Sequence, residues 1–570
     1  MKRHFSLYFF ILFPIFLFIN SLNAQSLKLE WAKNISGTLD VSGSSIETDY
    51  SGNIYLVGSF QGKVDVDPGP GEKFLSTLKS GWKASESFFA KFDKDGQHLT
   101  SFKLDATIRH ILTNDNGNFH LVGTFDSTVD FDPSVGIASL QSAGSVDVFI
   151  AEYDENGNYI SSTQIKSSKG IGVNDAKIDA IGNIYLAGWH YGSVTFSNSS
   201  GSNCNIDAGS GNPHFFAKIG KDKSCEFAIG LLLNSANAVE AIDFDKSGNV
   251  YIGGNFNKTV DLDGGAGIAS FTSVRGIDGY WAKYSPAGVY MEAHSYDAGV
   301  NDLEIDEQDN LYLTGSIADS MNIDIGAGSK YIYSDAGGFD KYLVKYNFKK
   351  EVVFGNSMKA DSRILRIREL APGKANSIYI VGQFKDTIDL NRDKNGGELY
   401  SEGSYDGLLS KFNSNGEYEY AMALGSSFLN DVNDITVDKA GNILLLGSFE
   451  GIVDFDPKIG KKELTSTGKL SLFFARYSDD ETNGIHESKD LAKNILIYAA
   501  DRQVFVDFGI QAKRVDAKIR IISLNYQTVY QTKHTSNEPL KIDLPSLVDQ
   551  VLFVQVTNNG FSTIKKILLR

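Results

Sequence analysis

Asp49-Tyr50-Ser51-Gly52-Asn53-Ile54-Tyr55-Leu56-Val57-Gly58 is the stretch on which the fold turns. Asp-x-x-Gly-Asn supplies the positive-φ position of a tight hairpin turn, and the apolar, aromatic run behind it suits a buried strand. Its closing glycine recurs at Gly123, Gly188, Gly254, Gly315, Gly382 and Gly447, so the unit stands seven times, at spacings of 65, 65, 66, 61, 67 and 65 residues. A period this even marks a repeat architecture, and it exceeds a solenoid turn or a propeller blade of about forty residues.

Outward from each copy the pattern predicts four short strands. The first alternates apolar and polar residues, as in Asn433-Asp434-Ile435-Thr436-Val437-Asp438, and the second runs apolar, as in Ile443 to Leu446. The third recurs as Phe88-Phe89-Ala90-Lys91-Phe92, Phe215-Phe216-Ala217-Lys218-Ile219, Tyr280-Trp281-Ala282-Lys283-Tyr284 and Phe473-Phe474-Ala475-Arg476-Tyr477. A second turn, such as Asp93-Lys94-Asp95-Gly96, leads to the fourth, His98 to Leu104. Four antiparallel strands repeated seven times predict an all-β chain with a seven-bladed β-propeller over residues 25–478. The seventh copy has no fourth strand after Tyr477, whereas Leu27 to Lys33 has that character with nothing ahead of it. The N-terminal strand is expected to complete the last blade.

These repeats resemble the bacterial β-propeller repeats called SBBP, whose blades carry Asp-x-x-Gly-Asn-x-Tyr-x-x-Gly and then a Phe-x-Ala-Lys strand. The resemblance spans residues 27–478 and implies a fold, not a ligand, because propellers host binding proteins, hydrolases and scaffolds.

Between the second and third strands most copies insert an acidic alternation. Asp65 and Asp67, Asp130 and Asp132, Asp261 and Asp263, and Asp454 and Asp456 are such pairs. The same connection in every blade leaves the same face, so the inserts are expected to gather into one acidic rim. Two carboxylates on one side of an extended strand suit Ca²⁺; equally, Asp-Pro and Asp-Gly are ordinary turn formers. No other cofactor is expected.

Catalytic signatures are missing: the chain has no Gly-x-Ser-x-Gly, no His-Glu-x-x-His and no phosphate-cradling loop. Trp189-His190-Tyr191 departs from its blade's pattern, since other blades have a small or amide polar residue and then Phe or Ile there, as in Ser-Phe or Thr-Phe, and is a candidate ligand contact or a local aromatic cluster. Cys204 and Cys225 fall in one repeat, and pair only if the insert folds back. Ser127, Ser320 and Thr387 follow an aspartate in equivalent turns, resembling the Asp-Ser/Thr-apolar acceptor of Bacteroidetes protein O-glycosylation.

The two ends address the chain. Lys2, Arg3 and His4 precede an apolar run from Phe5 to Ile19 and a short stretch ending at Ala24, the pattern of a secretory signal peptide over residues 1–24. No second apolar run approaches the length of a membrane span. After a charged linker, 479–492, alternating segments in residues 493–570 predict a small β-sandwich. That tail resembles a type A sorting domain of the type IX secretion system, through Ile521-Ile522-Ser523-Leu524-Asn525-Tyr526-Gln527-Thr528-Val529, Leu552-Phe553-Val554-Gln555-Val556, Asn559-Gly560 and Lys565-Lys566-Ile567-Leu568-Leu569. Tyr526 stands where the family has glycine. The resemblance implies export by way of the periplasm, with the secretion machinery as partner.

A net charge of −16 repels phosphate backbones and disfavours nucleic acid. The expected function is a secreted or cell-surface binding module for a glycan or protein. A propeller enzyme, either a polysaccharide lyase or a glycan hydrolase, is the alternative, and a structural surface component is a third. An enzyme needs unrepeated acid, base or electrophilic groups converging at the axis, and a scaffold does not.

Overall fold

The computed structural model describes residues 27–77, 85–114, 117–196, 204–207, 212–233, 238–326, 328–335, 340–360, 364–392, 394, 396–458 and 460–479. In the C-terminal part it describes 496–500, 503–507, 517–523, 528–535, 540–544, 550–558 and 561–569. The segment 1–24, the linker beyond Asp479, and Asn525, Tyr526 and Gly560 lie outside these. The chain divides into two compact units, Met1–Asp479 and Asp480–Arg570. Among the described residues it is all-β, with antiparallel sheets, one 3₁₀ turn at Lys374–Asn376, and no helix long and apolar enough to cross a membrane.

Sheet 1 of the first unit consists of Val41–Thr48, Ile54–Phe60, Glu86–Phe92 and His98–Leu104, paired in that order. Sheets 2 to 6 repeat the meander over residues 107–167, 170–233, 238–296, 299–360 and 365–424. Sheet 7 has Asn430–Val437, Asn442–Phe449 and Ser471–Asp479, and its fourth strand is Leu27–Gly37, where Ile35 pairs with Leu472 and Leu27 with Asp479.

The repeat signature is a hydrogen-bonded knot. In sheet 1 the Asp49 carboxylate accepts the N–H groups of Ser51 and Asn53, the Asn53 amide at 2.8 Å and the Tyr55 hydroxyl at 3.0 Å. Gly52 sits at φ +78°, a conformation glycine adopts without steric cost. Lys91, from the Ala-Lys of the third strand, places its ammonium 4.6 Å from the Tyr55 ring. Asp, Gly, Asn, Tyr and Lys thus recur together because each completes the others' contacts.

Seven buried clusters hold the unit, and each spans two successive sheets. The cluster of Leu444, Leu446, Leu472 and Phe474 with Val41, Ile46, Leu56 and Phe88 packs sheet 7 on sheet 1. Side chains of the first strands clasp the next sheet's backbone as well. Asp175 accepts the Ile242 N–H at 2.8 Å, Asp302 that of Leu370 at 2.9 Å, and Asp434 that of Ile46 at 2.8 Å.

The inserts are short hairpins whose alternation sorts their side chains. Val64 and Val66, Val129 and Phe131, Val260 and Leu262, and Val453 and Phe455 are buried. In three places such a hairpin pairs with the outer strand of the preceding sheet: Asp65 with Ser36, Phe196 with Ile165, and Asp389 with Lys359. Those outer strands would otherwise present unpaired edges, so the inserts cover them. Tyr153, Tyr284, Tyr346 and Tyr477, at or near the ends of third strands, each donate a hydroxyl to an insert carbonyl.

The second unit has a three-stranded sheet, Leu496–Ala500, Gln503–Asp507 and Leu540–Asp543, and a four-stranded one, Thr528–His534, Ala517–Ser523, Gln550–Asn558 and Phe561–Leu569. Val504, Val506, Ile519, Ile521, Leu552, Val554 and Val556 are buried. The residues of Thr528–His534 are exposed or half-buried and write no apolar face.

Candidate ligand-binding site

Each first strand carries a β-bulge at the same place, between Gly43 and Ser45 in sheet 1 and at the equivalent step in the six others. A bulge adds a residue without a pairing partner and re-aims its side chain. The bulged residues are Ser44, Arg109, Asn174, Glu240, Asn301, Arg368 and Asn433, all polar and of mixed charge.

Arg109, Asn174 and Glu240 line an open pocket of roughly 290 Å³ together with Thr124, Gly172 and Trp189. Trp189 lies near the end of the second strand of sheet 3, Ile184–Tyr191, and pairs with Gly172 on the first strand. A Cβ on Gly172 would meet the indole at 2.6 Å, so the ring lies against bare backbone and glycine is required there. The Tyr191 ring stands 5.2 Å from it. Arg109 is exposed, while Asn174, Trp189 and Glu240 are half-buried. Burial raises the Glu240 carboxyl above its ordinary value. Asn174 donates to the Val239 carbonyl at 2.9 Å, which fixes its amide.

The three candidates of this segment therefore separate. Trp189 enters the pocket wall and Tyr191 is exposed beside it, whereas His190 is fully buried. The His190 Nδ1–H donates to the Gly192 carbonyl at 2.8 Å and the ring stands edge-on to Phe215. Burial holds its pKa below the usual value, so it is a neutral core histidine.

Deeper along the first strands, Lys177 of sheet 3 bonds Glu304 of sheet 5 at 2.6 Å and stands 3.9 Å from Glu369 of sheet 6. Strands of non-adjacent sheets thus face a shared interior. Burial opposes the Lys177 charge, but the carboxylates of Glu304, Asp175 and Glu369 outweigh it, and its pKa lies well above the ordinary value. Burial, reinforced by neighbouring carboxylates, raises Asp302, Glu304 and Glu369, and Glu47 is pushed up to about 7. With 27% of its side chain exposed, Lys177 borders solvent and not dry core.

The insert carboxylates are engaged within their own hairpins. Asp65 accepts the N–H groups of Asp67 and Lys73, and Asp67 that of Gly69; Asp130, Asp132, Asp261, Asp263, Asp454 and Asp456 repeat the arrangement. Among the described residues no group of three or more His, Cys, Asp or Glu side chains is placed to hold a metal ion. Cys204 and Cys225 form a disulfide with Cα atoms 6.0 Å apart. It ties the insert hairpin of sheet 3 to that sheet's outer strand, while the hairpin also pairs with sheet 2. Ser127, Ser320 and Thr387 begin or precede insert hairpins, where Ser127 is exposed and the other two are half-buried.

No family model and no curated protein matches the chain. Solved structures similar to parts of it include a protein of unknown function from Bacteroides caccae, at 10% identity and a TM-score of 0.30, covering 63% of this chain and 96% of that one. Sqt1 from Chaetomium thermophilum, at 8% identity and a TM-score of 0.34, covers 79% of this chain and 99% of its own. A tetra-tandem repeat from the extending region of a large adhesion protein, at 11% identity and a TM-score of 0.10, covers 85% and 95%. Scores this low carry no weight for fold or function.

Proposed function

We propose that the seven sheets are the blades of a closed, SBBP-like β-propeller, and that the protein is an exported or surface-held glycan-binding module whose site is the mouth of the central axis. Trp189 carries this reading: a single half-exposed indole lies flat over glycine, beside the planar polar groups of Arg109, Asn174 and Glu240. A sugar stacks its C–H face on an aromatic ring while its hydroxyls bond such groups. Calorimetry against a panel of soluble oligosaccharides tests it. Wild type should bind a member of the panel, and Trp189→Ala should lose about tenfold or more in affinity, or ~1.4 kcal/mol, with an unchanged melting temperature. Equal binding by the variant would remove the site, and binding of proteins but no saccharide would remove the ligand class.

One observation favours the enzymatic alternative, a lyase or hydrolase: Lys177, the one base at a strand position that Glu47, Asp243 and Glu304 fill in other sheets, meets the acids Glu304 and Glu369 at the axis. Under it, the oligosaccharide that binds would be cleaved, and Lys177→Met would abolish cleavage while leaving binding intact.

Export is the other half of the proposal, supported by the charged and apolar N-terminal run, the Cys204–Cys225 disulfide and the strand pattern of the tail. Removing residues 480–570 should leave the propeller in the periplasm. Normal delivery to the surface or medium would make the tail an accessory domain.

A further inference from the structure

Trp189, Lys341 and Arg366 lie in one cross-strand layer of the repeat. Gly172, Trp189 and His214 pair in register in sheet 3; Gly299, Ser316 and Lys341 do so in sheet 5; Arg366, Gln383 and Gly407 do so in sheet 6. The bulged Arg368 lies two residues beyond Arg366, at the position Asn174 holds in the pocket wall.

On a chain of net charge −16 this corner is cationic. Arg366 and Arg368 are exposed and Lys341 is half-buried. Arg368 pairs with Asp431 at 2.6 Å. Lys341 donates to the Ser316 hydroxyl at 2.5 Å, and among the described residues neither it nor Arg366 has an ion-pair partner. Burial first, and the nearby Arg366 charge second, lower the Lys341 pKa to about 8. Three cations with one carboxylate, two of them without an ion pair, are unfavourable unless an anion offsets them.

We infer that Lys341, Arg366 and Arg368 form an anion subsite of the same mouth, and that the glycan taken there is acidic, bearing a carboxylate or sulfate group. This rests on the glycan reading of the Trp189 pocket and adds the ligand's charge. Non-specific attraction does not imitate it, because the molecule as a whole repels polyanions.

The test measures binding of polygalacturonate, chondroitin sulfate and neutral dextran to wild type, to Trp189→Ala and to the double variant Lys341→Gln/Arg366→Gln. Wild type should favour at least one acidic polymer over dextran by about tenfold, with a preference that shrinks as salt rises. The stronger acidic polymer distinguishes carboxylate from sulfate. The double variant should lose the preference, keep its affinity for dextran and melt no lower than wild type, since it removes mutually repelling charges. Equal binding of acidic and neutral polymers by wild type overturns the anion subsite and leaves the Trp189 site standing, as does a preference that survives in the double variant. Binding of none of the three by wild type overturns the inference together with the reading beneath it.

Discussion

Lys411 Nζ lies 2.8 Å from Asp479 Oδ2, although Lys411 belongs to sheet 6 and Asp479 ends sheet 7. In three other sheets the cation of this strand position pairs with its own turn aspartate: Lys283 with Asp245, Lys345 with Asp306 and Arg476 with Asp438. Sheet 6 has Gly373 at that turn, and Asp479 takes the vacant role, accepting the Tyr379 and Tyr420 hydroxyls at 2.8 and 2.9 Å as well. The last residue of the first unit is therefore part of the preceding sheet's knot.

Asp479→Ala should cost about 2–4 kcal/mol in urea unfolding, because it takes from a buried ammonium its closest carboxylate, Glu419 standing farther off at 3.2 Å. Burial works against the Asp479 charge, but Lys411 and the two hydroxyls outweigh it and hold its pKa below the usual range. A depressed carboxyl stabilises above its unfolded pKa and stops doing so as pH falls through the folded one. The difference between wild type and variant should accordingly vanish in strong acid. A variant as stable as wild type at pH 7 would remove Asp479 from the knot.

Asp406 predicts the opposite sign. It is fully buried, with Oδ2 accepting the Glu402 N–H at 2.8 Å and Oδ1 lacking a partner among the described residues. Burial pushes it up to about 7. Its ionisation cost is absent below the ordinary carboxylate range and accrues as pH rises from about 4 to about 7. Asp406→Asn should stabilise by about 2–4 kcal/mol at pH 8 and change little at pH 4, measured by denaturant midpoints. Equal effects at both values would show that the carboxyl is not strained by its charge.

Deleting residues 27–37 should lower the melting temperature or cause aggregation, since Leu27 and Ile35 are fully buried and the third strand of sheet 7 would become an edge. Ile35→Ala alone should cost about 2–4 kcal/mol through the cavity it leaves. An unchanged melting curve for the deletion would exclude the N-terminal strand from sheet 7 in solution.

The insert turns predict indifference to calcium and dependence on glycine. A Cβ on Gly136 would stand 1.9 Å from Asp132 Oδ2, and Gly71, Gly267 and Gly460 meet Asp67, Asp263 and Asp456 in the same way. Gly136→Ala should destabilise by about 1–3 kcal/mol, while millimolar Ca²⁺ should leave the wild-type melting temperature in place. A rise with calcium would assign the aspartate pairs to an ion.

Much of this was legible in the sequence because repetition amplifies it. Asp49, Gly52, Asn53 and Tyr55 recur since each bonds the others, so their period exposes the strand order, and the alternation of Leu27 to Lys33 marks a strand in need of a partner. The inserts were half legible: Asp-x-Asp was read, but not the glycine four residues after the second aspartate, which is where that carboxylate packs. Repetition hides what it does not share. Arg109, Asn174, Glu240 and Arg368 occupy bulges, which have no periodic signature, and they stand at a first-strand position whose chemistry changes from copy to copy. Lys177 and Glu304 are separated by 127 residues, so only the arrangement of whole sheets brings them together.

The central claim is that a saccharide lies over Trp189. A crystal structure of the protein soaked with the oligosaccharide that binds it in calorimetry should show a sugar ring stacked on the indole, with hydroxyls within hydrogen-bonding distance of Arg109, Asn174 or Glu240. A sugar bound instead on the insert hairpins, with the Trp189 pocket empty, would contradict the account.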